Sequence, residues 1–86
     1  MAKMEYYVTY AQWKPEAQGQ EAMKKSMKEW TKKIENLGME VVFWGAALGV
    51  PEDAICVIKG SPENWMKMNP SEAPYTNTRT NVVITF

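Results

Sequence analysis

The chain has no histidine, one cysteine (Cys56) and one arginine (Arg79) in 86 residues. A lone cysteine excludes a disulfide within the chain. Without histidines or paired thiols, the usual donor set for a metal is missing, so no metal is expected. An excess charge of either sign is missing too: ten basic and ten acidic side chains balance to zero. A nucleic-acid binder carries a basic footprint, which this composition does not supply. No apolar run approaches the roughly 18 residues that cross a bilayer, and the opening Met1-Ala2-Lys3-Met4-Glu5 does not read as a signal peptide. An unpaired thiol with no export signal points to the cytoplasm. No linker, low-complexity tract or repeat divides the chain, so residues 1–86 read as a single domain.

A chain this short buries only roughly 60–65% of the surface that its unfolded form exposes. Small domains compensate with disulfides, metals or self-association. The first two are removed by composition, so self-association is the remedy left open. A net charge of zero offers little repulsion against it.

What is present is clear periodicity. Met4, Tyr6, Val8 and Tyr10 alternate with Glu5, Tyr7 and Thr9, which predicts a strand ended by Trp13-Lys14-Pro15. Over residues 16–37, Met23, Met27, Trp30, Ile34 and Leu37 recur at spacings of 4, 3, 4 and 3, one stripe of a helix. Gly19 delays its start to about Gln20, and Gly38 suits a left-handed cap at its end. Residues 39–48 predict a second strand and Ala54–Lys59 a third, parted by a turn at Gly49-Val50-Pro51-Glu52-Asp53. Ser61-Pro62-Glu63 is a helix start, with a serine cap, proline at the first turn and an acid beside it. Asn69-Pro70 closes that short helix. Residues 70–79 read as a polar loop, and 80–86 as a final strand.

The order β-α-β-β-α-β predicts an α+β, ferredoxin-like fold: a four-stranded antiparallel sheet, strand order 4-1-3-2, with two helices on one face. Such strands should be apolar on one side only, yet these are apolar on both. In regular alternation Met39, Val41 and Phe43 take one face and Val42, Trp44 and Ala46 the other. The uncovered face then exposes several large apolar groups, and a patch of that kind marks an interface. Packing two sheets face to face about a two-fold axis buries both patches, so a homodimer is expected. The alternative is that the 70–79 loop or the chain ends fold over the open face.

That order, with a two-sided sheet, resembles the dimeric α+β barrel superfamily. The segments carrying the likeness are Tyr6-Tyr7-Val8-Thr9-Tyr10-Ala11-Gln12-Trp13-Lys14-Pro15-Glu16 and Ala54-Ile55-Cys56-Val57-Ile58-Lys59-Gly60-Ser61-Pro62-Glu63. Both are similar to small uncharacterised barrel proteins. The resemblance implies a ligand pocket between sheet and helices in each protomer. The superfamily includes haem-degrading enzymes, muconolactone-isomerase-like proteins and cofactor-free monooxygenases. The haem branch needs a histidine that this chain lacks. The monooxygenase branch often uses a tryptophan on the second helix, which Trp65 matches, and an asparagine on the first strand, which nothing here matches.

The expected function is therefore a homodimer with a small aromatic-lined pocket for an apolar or aromatic molecule, working without a cofactor in the manner of a monooxygenase or isomerase. Trp44 and Trp65 would be walls, and Tyr10 and Arg79 polar anchors. Arginine grips a carboxylate in a planar fork, so Tyr10, Tyr75 and Arg79 together would hold an acidic aromatic ligand. The plainer readings stand beside these: Trp44 and Trp65 as packing, Arg79 as a surface charge, Trp30 as core and Trp13 as partly exposed. Cys56 in an apolar strand is a poor nucleophile, and no second acid pairs with Glu52 or Asp53 for acid–base work. The competing function is a non-catalytic oligomeric module.

Overall fold

A computed structural model describes residues 4–85. The first strand, β1, spans Glu5–Trp13, and helix α1 follows over Gln20–Asn36. Strands β2 (Glu40–Ala46) and β3 (Ala54–Gly60) come next, then helix α2 (Pro62–Met66) and strand β4 (Tyr75–Val83). All pairings are antiparallel. The sheet order is β2-β3-β1-β4, which is 4-1-3-2 read from the β4 edge. This is a small α+β fold compatible with the ferredoxin-like arrangement. None of the described helices is long and apolar enough to cross a membrane.

The helix stripe is the buried face of α1. Met27, Trp30 and Ile34 are buried, with Met23 and Leu37 packed at the margins. The helix ends as its sequence dictates. Gly38 adopts φ +81°, its N–H reaches Glu35 O, and Met39 N–H reaches back to Ile34 O. That pairing satisfies two orphan carbonyls and brings Met39 onto Ile34 in the core. At α2, the Ser61 hydroxyl accepts from Asn64 N–H at 3.2 Å, with Pro62 at the first helical position.

Register decides which face α1 covers. Tyr7, Thr9 and Ala11 pair with Ile58, Cys56 and Ala54, and all six are buried. Tyr6, Val8 and Tyr10 pair with Lys59, Val57 and Ile55 on the opposite, open face. The more polar set of β1 therefore lies under the helices. The reason is steric. Met27, Trp30 and Ile34 are large, and Ala11, Ala54 and Cys56 give them a floor of small residues.

Two bulges overturn the regular alternation. One extra residue on β2, at Val42, separates the pairs Val41–Ile58 and Phe43–Val57. Val41 and Trp44 therefore share the covered face, while Phe43 turns outward at 54% exposure. A second extra residue on β4 falls between the pairs Gln12–Thr76 and Tyr10–Arg79. There Asn77 takes the left-handed region, φ 53°, and its side-chain amide donates to Gln12 Oε1 at 2.7 Å.

The bulge also corrects two boundaries. β4 begins at Tyr75, inside the segment expected to be a loop, because Tyr75 pairs with Trp13. β1 correspondingly continues to Trp13, which is buried rather than partly exposed. The ladder stops at Val83, so Ile84 and Thr85 are not in the strand, and Phe86 lies outside the described residues. Nor does the 70–79 segment fold over the open face. Its first part, a 3-10 turn at Pro70–Glu72, sits by α1, where Lys33 pairs with Glu72 at 3.0 Å.

Candidate functional site

A cavity of about 270 Å³ lies between the sheet and the helices. Its floor is the helix side of β1 and β4, where the buried Thr9 and the exposed Thr80 meet hydroxyl to hydroxyl at 2.9 Å. Thr78 extends that floor. The aromatic walls are Trp30 of α1, Trp65 of α2 and Tyr75 at the head of β4, and Met66 and Met68 close the α2 side. No lining residue is charged. A second hollow, of about 210 Å³, lies across Trp30 and is polar, with Lys14, Glu16, Lys33 and Glu72 around it.

The aromatic walls are held stiffly. Trp65 stacks on Tyr7 with centroids 4.1 Å apart and ring planes 5° from parallel. Tyr7 is fixed in turn, its hydroxyl donating to Glu5 Oε2 at 3.2 Å. Burial, and then the Glu5 carboxylate, push the Tyr7 hydroxyl above its ordinary pKa. On the other side, Trp30 Nε1–H donates to Tyr75 Oη at 3.1 Å, and the two rings meet edge to face. Burial drives the Tyr75 hydroxyl far above its normal range, and neighbouring Cys56 pushes the same way. Burial also pushes the Cys56 thiol up to about 11, partly offset by its hydrogen bond with Tyr75. Tyr75 and Cys56 thus stay protonated at neutral pH. The cavity is lined mostly by aromatic and apolar side chains, and its walls carry no group that titrates near neutrality.

The five residues singled out from the sequence fall in three places. Trp65 and Tyr75 line the cavity. Trp44 shares the covered face but packs edge-on against Trp13, centroids 5.8 Å apart, outside the lining. Tyr10 and Arg79 are cross-strand partners on the open face, with the guanidinium 4.8 Å from the Tyr10 ring centroid. Arg79 also forks Glu52, Nε to Oε2 at 2.9 Å and Nη2 to Oε1 at 3.1 Å. That fork lowers the Glu52 pKa. Tyr75 and Arg79 are four residues apart and would share a face in a regular strand. The bulge at Asn77 puts them on opposite sides, so Tyr10, Tyr75 and Arg79 are not assembled around one ligand.

Sequence reasoning missed Thr9, Thr78 and Thr80, and Tyr7 as the support of Trp65. The one available signal was Thr9 itself. It belongs to a β1 set whose next member, Ala11, is small enough to admit a helix. The chain matches no protein-family model, no curated protein and no solved structure in the comparisons made.

Proposed function

We propose that the protein is a small homodimeric binding protein that holds one apolar or aromatic molecule between sheet and helices in each protomer. The observation that carries this is the cavity of about 270 Å³ walled by Trp30, Trp65 and Tyr75. Apolar pockets with a few convergent polar groups are the usual form of a small-molecule site. The position fits the pocket that the dimeric α+β barrel resemblance implies. The absence of a titrating group in the walls favours binding over proton transfer, so a cofactor-free monooxygenase or isomerase activity is the less supported form of this reading. A buried, protonated Cys56 thiol suits a cytoplasmic setting.

The dimer half of the proposal rests on the open face. Tyr6, Val8, Tyr10, Ile55, Phe43 and Val83 lie there around an already buried Val57; Phe43 at 54% and Val83 at 44% are exposed, and the other four are half-buried. Burying each large side chain contributes about 1.5–3 kcal/mol, and a second copy would bury the two faces at once. The same face supports the second reading, a non-catalytic oligomeric module in which the cavity stays empty.

A thermal-shift screen with small aromatic molecules, read with tryptophan fluorescence, separates the two. Binding should raise the melting temperature and perturb the emission of Trp30 and Trp65, with the perturbation much reduced in Trp65→Phe. A screen with no stabilising compound leaves only the module. Sedimentation at low micromolar concentration tests the dimer, and a monomer there removes it.

A further inference from the structure

We infer that the cavity selects an uncharged one- or two-ring aromatic molecule bearing a hydroxyl or carbonyl group, anchored on the Thr9–Thr80 hydroxyl pair. The inference rests on the pocket reading above and narrows it against an acidic ligand.

Three observations carry it. The first is size. A dry cavity of roughly 150 Å³ already takes a benzene ring, and drug-sized ligand sites begin near 300 Å³. About 270 Å³ therefore fits one ring or two fused rings. The second is charge. No ionic side chain lines the cavity. Arg79 lies on the other side of the sheet and is already forked by Glu52. A carboxylate held at the buried Thr9 end of the cavity would lose water and gain no cation.

The third is the polar anchor. Thr9 is 3% exposed, and its hydroxyl lies 2.9 Å from that of Thr80, which is itself exposed. Each threonine hydroxyl has one proton to give and two lone pairs. One proton is used between them, which leaves the pair one donor and spare acceptor capacity at the cavity floor. The Tyr75 hydroxyl is more fully engaged, since it accepts from Trp30 and interacts with Cys56. The stacked Trp65 and the pinned Trp30 offer stiff aromatic walls. Met66 and Met68 supply a side that adapts to ring shape.

The test is calorimetric titration at neutral pH with p-cresol, p-toluate and toluene, one ring carrying a hydroxyl, a carboxylate or neither. Binding of p-cresol should be at least about tenfold tighter than that of p-toluate. Thr80→Val keeps the branched shape and removes the hydroxyl. It should weaken p-cresol roughly fivefold and leave toluene unchanged, and Thr80→Ser should restore p-cresol binding. If p-toluate binds as tightly as p-cresol, the neutral-ligand inference fails while the pocket stands. If Thr80→Val weakens both neutral ligands equally, or neither, the threonine anchor is wrong. If neither p-cresol nor toluene binds, the pocket reading fails with the inference.

Discussion

The two faces of the sheet invert the usual division of labour. The covered face holds two hydrogen-bonded threonines, a tyrosine and a hollow beneath its helices. The open face carries Tyr6, Val8, Tyr10, Ile55, Val57 and Phe43, with its charges, Lys59, Glu40 and Arg79, toward the edges. A monomer optimised for water would place these sets the other way round. The difference teaches that the helices are seated by fit, with large side chains over Ala11, Ala54 and Cys56, and not by which face is greasier. It also sets the faces apart: a packed but incompletely filled interior on one side, and on the other the surface that the proposed dimer would use.

The sharpest test of that division compares one large deletion on each face. Ile34 is fully buried against the covered face. Ile34→Ala should lower the unfolding free energy by about 2–5 kcal/mol in urea titration. The loss within each protomer should be the same whatever the protein concentration. Phe43 is half exposed on the open face, so Phe43→Asp should leave the protomer folded and convert a dimer to monomer. The lost association is worth about 1.5–3 kcal/mol per protomer or more. A Phe43→Asp variant that sediments as wild type would remove the open face as the interface.

Alkaline pH should act on the covered face. Burial raises the Cys56 thiol from 9.0 to about 11. Below pH 9 both folded and unfolded chains keep that proton, and stability is undisturbed. Between about pH 9 and 11 the unfolded chain loses it and the folded chain does not. Stability therefore falls as pH rises, by about 1.4 kcal/mol per unit and about 2–3 kcal/mol in total. The buried Tyr75 hydroxyl, shifted upward, adds to the loss in the same direction. Urea midpoints measured through this range should fall less steeply in Cys56→Ser. Equal slopes would mean that the thiol is not shielded by the fold.

These tests bear on what was legible in the sequence. Element order was legible, because it is written in local terms: the 4-3-4-3 stripe of α1, Gly38 at its end, and Ser61-Pro62 before α2. The existence of an apolar open face was legible as well, since too many strand positions are large and apolar for two helices to cover. Face membership was not. Pattern reading assumes a strict period of two, and single extra residues at Val42 and by Asn77 break it. Nothing local announces Val42, and Asn77 sits in a polar stretch that reads as a loop. The site suffered for the same reason. Trp65 and Tyr75 were found by residue type, whereas Thr9 and Thr80 become partners only through the register of β1 and β4.

The smallest expected effect tests that lesson at Arg79, the residue whose chemistry pointed most plainly to an anionic ligand. Its guanidinium stacks on Tyr10 and forks Glu52, both away from the cavity. Lysine keeps the charge but cannot reproduce the planar two-point fork. Arg79→Lys should therefore leave cavity binding of a neutral aromatic unchanged within about twofold. The change should appear at Glu52 instead. Arg79 holds that carboxyl below its ordinary range, so weakening the fork should let its titration, followed by carbon NMR, move upward toward that range. If Arg79→Lys abolished ligand binding while Glu52 titrated as before, the ligand would have to reach the open face. The separation of the two faces would then be wrong where β4 bulges.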